Sequence, residues 1–490
     1  MNEENENPEI RETIQSNASE VVLRETNLSN IEKIVDEEES KSKDKPLKKV
    51  NSLSTVLSIG NSMIGSSIMT LPYNVYETGI IPAIILYIIY DLISFYTCKI
   101  YVDFGFIDSD FSITVEKYFN KFFGKKISKI GKTIQIFFTT FMATGGYITY
   151  FILMSQNFYP VVCLILNKIG LDIDSEDLTP EFGRFSSIYL GIILCFILFP
   201  LSIKKDIGLL VFISSFGCYF LTGLIIYVLY TGVYSLFTNE FKFDYIKNKD
   251  NSSERYLYLF GVNPALLAGT LSMGYFCHTA ILPVLKCNKK QEKNIRDLFL
   301  GYVFVGLVYL SCGILGYIGF SGKQFKAIFK DNWLMFFDSD NYLIFCFRVL
   351  IVVHFITAFP ILLYIVRLQI FIFFYGTEYP SRKHVVICGL CQLLLCLIVF
   401  YFFYDTLAKL LSVFGACASL ILVYTFPVMV KMINYYLKKK EQYDEDNNKI
   451  KLNLKDILFY TAHFLLIILG FANVVFQFVP INFFGINIKE

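Results

Sequence analysis

The sequence predicts an all-α membrane protein that crosses the bilayer many times, and three observations support this fold class. Of its 490 residues, 54% are hydrophobic and only 18% are charged, against roughly 25% charged residues in an average soluble protein. The hydrophobic residues fall into blocks of about 20 to 25, long enough for a helix to cross a hydrocarbon core roughly 30 Å thick. The blocks also lack the short polar–apolar alternation of membrane β-barrel strands.

Eleven blocks are predicted to be transmembrane helices. In order, they cover residues 52–74, 79–103, 133–158, 186–203, 207–233, 260–285, 298–320, 342–366, 384–404, 408–433 and 456–480. The fourth and fifth spans are divided at LSIKKD, and the ninth and tenth at Tyr404–Asp405. Residues 1–50 are acid-rich and then lysine-rich, which predicts a disordered tail, and residues 51–490 form one membrane domain.

The distribution of Lys and Arg predicts the orientation. Most of the 44 basic residues fall in the tail and in alternate loops, which is the bias expected of cytoplasmic segments. The N-terminus is therefore predicted to be cytoplasmic. The glycosylation sequon at Asn251 then lies in an external loop, whereas those at Asn17 and Asn27 lie inside.

The first and sixth spans are both interrupted by small and polar residues. Ser66-Ser67-Ile68-Met69-Thr70-Leu71-Pro72 follows Gly65, and Cys277-His278-Thr279-Ala280-Ile281-Leu282-Pro283 follows Gly274. Because the two segments are five spans apart, they cross the membrane in opposite directions. Matched interruptions of this kind predict inverted repeats around a midplane site, with repeat one at about 51–233, repeat two at about 260–433 and an extra helix at about 456–480. The alternative is two kinked helices that pack through small residues.

The interruptions also predict how a ligand is held. Freed N–H groups carry partial positive charge and suit a carboxylate, while freed carbonyls suit a cation or a protonated group. The candidate substrate-binding residues are Gly65, Ser66, Ser67, Gly274, Tyr275, Cys277 and His278. For His278, the alternative is a packing residue.

Three other side chains are candidates for ion binding or coupling. Asn61 offers an oxygen one to two turns before the first interruption. Asp91 lies in span two, where a carboxyl is costly and usually functional. His354 titrates near neutrality and, like His278, can relay a proton. The alternatives are a hydrogen bond between helices for Asn61 or Asp91 and a core position for His354.

Four segments resemble one family. NSMIGSSIMTLPY (61–73) is similar to the first helix of the amino acid/auxin permease family, especially its neutral amino acid transporter branch. GTLSMGYFCHTAILPVLK (269–286), AFPILLYIVRLQI (358–370) and LAKLLSVFGACASLILVYTFPVMVK (407–431) are similar to its sixth, eighth and tenth helices. The resemblance implies a LeuT-type fold of two inverted five-helix repeats plus an eleventh helix. It also implies a sodium site at Asn61 and Thr357, although Ala358 stands at the position where relatives carry threonine.

These observations together predict secondary active transport of amino acids, coupled to H⁺ or Na⁺. The alternative is an amino acid sensor or receptor with the same fold and no net transport. The chain is predicted not to be an enzyme, because it has no HExxH motif or paired intramembrane aspartates. The lack of a phosphate-binding loop argues against an ATP-driven pump. It is predicted to need no cofactor beyond the ion, to contact the amino acid and the lipid bilayer, and to bind no nucleic acid. The membrane is either the plasma membrane or that of an acidic internal compartment of vacuolar or lysosomal type.

Overall fold

The structure is a computed structural model that describes residues 49–105, 111–204, 217–238, 241–246, 256–321, 331–337, 341–377, 379–445 and 453–479. The described chain is helical apart from turns, loops and two short strands. These strands, β1 (Lys242–Ile246) and β2 (Tyr256–Phe260), pair in parallel between spans five and six. The tail of residues 1–48 and the Asn251 sequon lie outside the described residues.

Spans one to five correspond to the following helices, with α4 as an addition. They are α1 (Ser52–Met63), α2 (Leu71–Thr78), α3 (Ile80–Phe104), α4 (Phe111–Phe123), α5 (Lys125–Lys168), α6 (Ser187–Ser202) and α7 (Gly217–Thr238). A 3₁₀ turn, Ser66–Met69, lies between α1 and α2. Span one is therefore two short helices around an interruption.

Spans six to eleven correspond to a second series of helices. They are α8 (Pro264–Gly274), α9 (Ile281–Lys286), α10 (Asn294–Phe320), α11 (Tyr342–Tyr375), α12 (Arg382–Phe403), α13 (Leu407–Ser419), α14 (Phe426–Glu445) and α15 (Leu454–Phe478). Further 3₁₀ turns lie at Gln291–Lys293 and Trp333–Phe336, and a π-helical turn, Leu420–Thr425, joins α13 to α14.

In the described part of the chain, eight helical segments are long and apolar enough to cross a membrane. The other three predicted spans correspond to the two interrupted helices and to α6, which has 16 residues. Interrupted spans need protein around them, because their freed backbone groups find no water in the hydrocarbon core. The predicted class, a polytopic α-helical membrane protein, is confirmed, while the count of eleven crossings stays a prediction.

The helices differ from the predicted spans at two places on the side that holds α4. No predicted span covers the segment of α4, which is an amphipathic helix that buries Phe111, Val115 and Phe119. Span three was predicted at 133–158, whereas α5 has 44 residues. At 1.5 Å per residue α5 is about 66 Å long, so it extends well beyond a hydrocarbon core. Lysine forms helices readily, which allows α5 to begin before the apolar block.

The helices pack as two groups. The bundle comprises α1, α2, α3, α8, α9 and α10, and its members pack mainly on α10 and α8. The scaffold comprises α5, α6, α11 and α12, which pack on one another. The 3₁₀ turn Ser66–Met69, which connects bundle helices α1 and α2, packs on scaffold helix α5. Among the described elements, none of the bundle helices themselves packs extensively on a scaffold helix. The first interruption thus lies where bundle and scaffold meet.

The remaining helices pack on the bundle, on the scaffold or on both. Helix α7 packs on α10 and α11, α13 packs on α8 and α5, and α4 packs on α5. The approach of α8 to α13 is very close at Gly269, where a Cβ atom would lie 2.3 Å from the Ser412 carbonyl oxygen. Helix α15 in turn packs on α13 and on the π-helical turn. Small residues at such crossings are what membrane helices use in place of a hydrophobic driving force.

Candidate functional site at two helix interruptions

The first interruption begins where α1 ends at Met63. Ile64 adopts an extended conformation (φ −72°, ψ 108°), and its N–H still donates to the Gly60 carbonyl at 2.9 Å. Gly65 lies outside the helical and extended regions (φ −143°, ψ −141°), and the 3₁₀ turn begins after it. The first N–H groups of a helical turn have no acceptor within it, so those of Ser66 and Ser67 are available to a ligand. Both residues are buried, with 4% of their surface exposed.

The second interruption lies between Gly274 and Ile281. After α8 ends, the N–H of Phe276 donates to the Met273 carbonyl at 3.2 Å, and that of Ala280 donates to the Cys277 carbonyl at 2.9 Å. These turns replace the helical ladder until α9 begins. Span six therefore carries an interruption at the place where its sequence predicts one.

Tyr309 of α10 joins the two interruptions. Its hydroxyl donates to the Met63 carbonyl at 2.8 Å, and it lies 3.0 Å from the Ser67 hydroxyl and 3.4 Å from the Gly274 carbonyl oxygen. A tyrosine has one hydroxyl proton, so the Ser67 hydroxyl donates to Tyr309 when Tyr309 donates to Met63. One fully buried side chain thus holds the end of α1, the 3₁₀ turn and the end of α8 together.

Two glycines allow tyrosine side chains to lie close to the interruptions. A Cβ atom at Gly274 would lie 2.8 Å from Cε2 of Tyr309 and 3.1 Å from Oγ of Ser67. A Cβ atom at Gly65 would lie 3.0 Å from the Tyr150 hydroxyl. Real Cβ atoms essentially never come closer than 3.0 Å, so a side chain at Gly274 displaces a neighbour. The glycines therefore serve close packing as well as flexibility.

The scaffold reaches the first interruption through α5. The Thr149 hydroxyl donates to the Gly146 carbonyl at 2.9 Å and lies 3.3 Å from the Ser66 hydroxyl, which can donate to it. Tyr150, next along α5, packs its ring on Phe355 of α11 with centroids 4.5 Å apart. The side-chain hydroxyls of Ser66 and Ser67 are thus both engaged by protein, which leaves their backbone N–H groups for a ligand.

The second interruption is held by a second tyrosine of α10. The Tyr302 hydroxyl donates to the Tyr275 carbonyl at 3.2 Å and lies 3.3 Å from the Cys277 sulfur. That sulfur lies 3.7 Å from the Cys98 sulfur of α3, and both thiols are free. The Tyr275 ring is fully buried, with its centroid 5.4 Å from that of Tyr309.

His278 is fully buried beside this turn. Its Nε2 lies 2.9 Å from the Thr97 hydroxyl, which also lies 3.0 Å from the Ile93 carbonyl oxygen. When Thr97 donates to Ile93, Nε2 of His278 donates to Thr97, and Nδ1 is left as an acceptor. No described residue donates to this Nδ1. The ring stacks on Phe276, with centroids 5.2 Å apart.

The sodium-site candidates lie on different helices. Asn61 is on an exposed face of α1. Thr357 is half-buried on α11, and its hydroxyl donates to the His354 carbonyl of the same helix at 2.7 Å. The larger contacts between described elements do not include one between α1 and α11. A sodium site formed by Asn61 and Thr357 together therefore stays a prediction.

The proton-coupling candidates also lie apart. Asp91 of α3 faces α10, where a Cβ atom at Gly306 would lie 3.3 Å from its Oδ1. His354 is buried on α11, one turn before Thr357. No described residue hydrogen-bonds to Oδ1 of Asp91 or Nδ1 of His354.

Candidates from the two interruptions do come together, since Ser67 and residues 274–277 converge on α10, whereas His278 faces α3. The residues that the sequence reasoning missed are the ones that join them: Tyr309, Tyr302, Thr149, Tyr150 and Thr97. The sequence did contain a signal for two of them. Tyr302 and Tyr309 are seven positions apart in an apolar span, which places both hydroxyl-bearing side chains on one helix face.

Two interrupted helices that meet in a bundle, beside a separate scaffold, define a membrane transporter fold. Two solved structures share it. MhsT in complex with L-phenylalanine superposes with a TM-score of 0.52, covers 88% of this chain and all of its own, and is 13% identical. Mhp1 in its inward-facing conformation also gives 0.52, covering 88% of this chain and 90% of its own at 9% identity. These likenesses concern the fold alone, and they confirm the predicted LeuT-type architecture.

Residues 48–476 match the family model described as transmembrane amino acid transporter protein, and the chain belongs to this family. Neutral amino acid transporter 9 of Danio rerio is 26% identical over 479 residues, covering 89% of this chain and 82% of the relative. Sodium-coupled neutral amino acid transporter 9 homolog of Caenorhabditis elegans is 25% identical over 481 residues, covering 88% and 74%. These relatives are transporters and not enzymes, which confirms both the predicted family and the prediction that the chain is not an enzyme.

Proposed function

We propose that this protein is a secondary active transporter of amino acids that works by alternating access around its two interrupted helices. The observation that carries the proposal is the convergence of both interruptions on Tyr309, beside the boundary where Ser66 meets Thr149 of the scaffold. A site at such a boundary can be opened to either side when one group moves against the other. Family membership and relatives named as neutral amino acid transporters support the substrate class.

The substrate would lie with its carboxylate at the first interruption. The N–H groups of Gly65, Ser66 and Ser67 are the proposed donors, because the two serine hydroxyls are already bonded to Thr149 and Tyr309. Fixed N–H dipoles in a site without bulk water bind a carboxylate strongly. The ammonium group would meet the freed carbonyls of residues 274–277. Since Tyr302 occupies one lone pair of the Tyr275 carbonyl, the remaining lone pairs of these carbonyls are the proposed acceptors.

Coupling to H⁺ or Na⁺ would bias the direction of the cycle. A Na⁺ site would use Asn61 and Thr357, and one relative is named as sodium-coupled. An H⁺ site would use Asp91, His278 or His354, each of which has a buried polar atom that no described residue satisfies. For Asp91, protonation would remove the buried negative charge of the carboxyl, which is costly away from water.

The test is uptake of radiolabelled amino acids into liposomes that contain the full-length protein. A panel of neutral, acidic and basic amino acids is measured with a Na⁺ gradient alone and then with a pH gradient alone. We expect accumulation of neutral amino acids under one of the two gradients. Binding of the amino acid without accumulation under either gradient would contradict the coupled mechanism and favour the sensor alternative.

The protein is a multi-pass membrane protein, and the proposed orientation places the N-terminus in the cytoplasm. Its membrane is the plasma membrane or an acidic internal membrane, which immunofluorescence of the tagged full chain distinguishes. Coupling to H⁺ would suit the acidic compartment, because a proton gradient is already present across that membrane.

A further inference from the structure

A basic and apolar surface lies at the corner between α4 and α5. Gly124 forms the corner with a positive φ of 87°. Exposed residues surround it on both helices, and together they form what is called here the corner patch: Lys121, Phe122, Phe123, Lys125, Lys126, Ile127, Lys129 and Ile130. The four apolar side chains are 39–53% exposed. The transport mechanism uses none of these residues.

The corner is held rigidly against the rest of the protein. The buried face of α4 places Phe119 against Phe426 of α14, with ring centroids 5.3 Å apart. Phe122 packs on Tyr436 of α14 at the same centroid distance. Since α4 also packs along α5, tertiary contacts hold the backbone of both helices at the corner.

The apolar part of the patch continues the lipid-facing stripe of α5. Ile127, Ile130, Ile134 and Phe137 recur at helical spacing, and Phe137 is 59% exposed at a depth where α5 is apolar. The stripe is a continuous apolar surface that runs along α5 from the hydrocarbon region to the corner. Because α5 is far longer than a bilayer core is thick, its lysine-rich end lies outside the hydrocarbon, at the level of the headgroups.

The charged part of the patch has one sign. Between Lys117 and Lys132 the sequence contains no acidic residue. Glu116, just before it, is bound to Lys132 at 2.7 Å. Exposed apolar side chains interleaved with lysines are the composition of surfaces that lie in the headgroup region of anionic membranes. Lysine stems can run along the apolar surface while their ammonium groups reach the phosphates.

We propose that the corner patch binds the headgroups of anionic phospholipids in the leaflet that this end of α5 enters. The chain's own membrane is the occupant, because the patch continues the lipid-facing stripe and its charge is complementary to acidic lipids. By the predicted orientation this is the cytoplasmic leaflet, where anionic lipids are concentrated. A lipid bound there also contacts α4, and through α4 the end of α14.

The proposal is tested by tryptophan quenching in the full-length protein. Ile130→Trp is placed in liposomes of phosphatidylcholine that contain equal fractions of brominated phosphatidylserine or brominated phosphatidylcholine. The native protein supplies the background, because Trp333 is its only tryptophan. We expect brominated phosphatidylserine to quench the new tryptophan about two- to threefold more strongly, since several lysines attract the anionic lipid.

The matched variants each lose four exposed basic residues from the predicted cytoplasmic side. The quenching ratio, that of brominated phosphatidylserine to brominated phosphatidylcholine, should fall to one in the patch variant, which combines Lys121→Gln, Lys125→Gln, Lys126→Gln and Lys129→Gln. The ratio should stay unchanged in the control variant, which combines Lys289→Gln, Lys290→Gln, Arg382→Gln and Lys383→Gln. Equal quenching by the two lipids before any lysine is removed overturns the proposal, as does an equal loss in both quadruple variants. Addition of inorganic phosphate at the lipid phosphate concentration should not reduce the ratio, and if it does, the patch is a site for free anions and the proposal fails.

Discussion

The hydroxyl oxygens of Ser67 and Tyr309 lie 3.0 Å apart, although 242 positions separate the two residues in the sequence. Through the same Tyr309 hydroxyl, the end of α1 is joined to the end of α8. The two interrupted helices are therefore mechanically linked at the point where we propose that the substrate binds. A movement of either interruption changes the hydrogen bonding of the other.

Removal of this hydroxyl should impair transport more than it impairs folding. In Tyr309→Phe the Met63 carbonyl loses its donor, and an unpaired buried polar group costs roughly 1–3 kcal/mol. We expect the initial rate of uptake per folded molecule to fall by about tenfold. Tyr317→Phe is the matched control, because its buried hydroxyl on the same helix bonds the Tyr258 N–H, away from both interruptions. Equal losses of uptake in the two variants would show that Tyr309 has no special role.

A methyl group at Gly274 should abolish substrate binding. Its Cβ would displace the ring of Tyr309 and the hydroxyl of Ser67, and overpacking of this kind typically costs about 1–3 kcal/mol. We expect Gly274→Ala to lose saturable binding of the labelled amino acid while it still reaches the membrane. Gly223→Ala on α7 is the control, since nothing lies within 4 Å of a Cβ there. Undiminished affinity in Gly274→Ala would contradict the proposed site.

One of two substitutions should remove the dependence of uptake on the gradient of the coupling ion. If Na⁺ binds at Asn61, Asn61→Ala removes the dependence of uptake on a Na⁺ gradient, while Asn120→Ala, at another exposed asparagine, does not. If Asp91 carries a proton, Asp91→Asn removes the dependence on a pH gradient, while Asp103→Asn, near the C-terminal end of α3, does not. Uptake driven by a gradient that neither Asn61→Ala nor Asp91→Asn alters would exclude both residues from coupling.

Asp331, between α10 and α11, should make stability depend on pH. Burial raises the pKa of this carboxyl to about 7, and the neighbouring Asp405 and Glu77 act in the same direction, while the Ala408 N–H that donates to it at 2.9 Å opposes them. A pKa that is raised in the folded state means that folding favours the protonated form. The contribution is therefore present at pH values below the ordinary Asp pKa and is lost as the pH rises to about 7.

Asp331→Asn keeps an acceptor for Ala408 and removes the titration. We expect the melting temperature of the variant, relative to the native protein, to rise between pH 5.5 and pH 7.5. Asp177→Asn is the control, because hydrogen bonds from Thr179 and the guanidinium of Arg184 lower the pKa of that carboxyl, so its effect is constant over the same range. A melting-temperature difference for Asp331→Asn that does not change with pH would contradict the assignment.

Glycosylation should report the orientation of the chain. In eukaryotic cells we expect the protein to carry one N-linked glycan at Asn251, removed by glycosidase and absent from Asn251→Gln. Asn17→Gln and Asn27→Gln should leave the electrophoretic mobility unchanged, because both are predicted to face the cytoplasm. Loss of the glycan-dependent mobility shift in Asn17→Gln or Asn27→Gln would show that the N-terminus is not cytoplasmic and would contradict the predicted orientation.

The sequence determined the membrane class, the places of the helices and the two interruptions. Its hydrophobic blocks and its Gly and Ser residues are local signals, and a helix in lipid satisfies its own backbone. The sequence did not predict α4, because amphipathic surface helices lack a long apolar block.

Only the tertiary structure decided what lies beside each interruption. Tyr309 meets Ser67, and Thr149 meets Ser66, through contacts between helices that are far apart in the chain. A helix periodicity shows that Tyr302 and Tyr309 share a face, but not which helix that face meets. The close packing permitted by Gly65 and Gly274 fixes those partners, and with them the geometry of the proposed amino acid site.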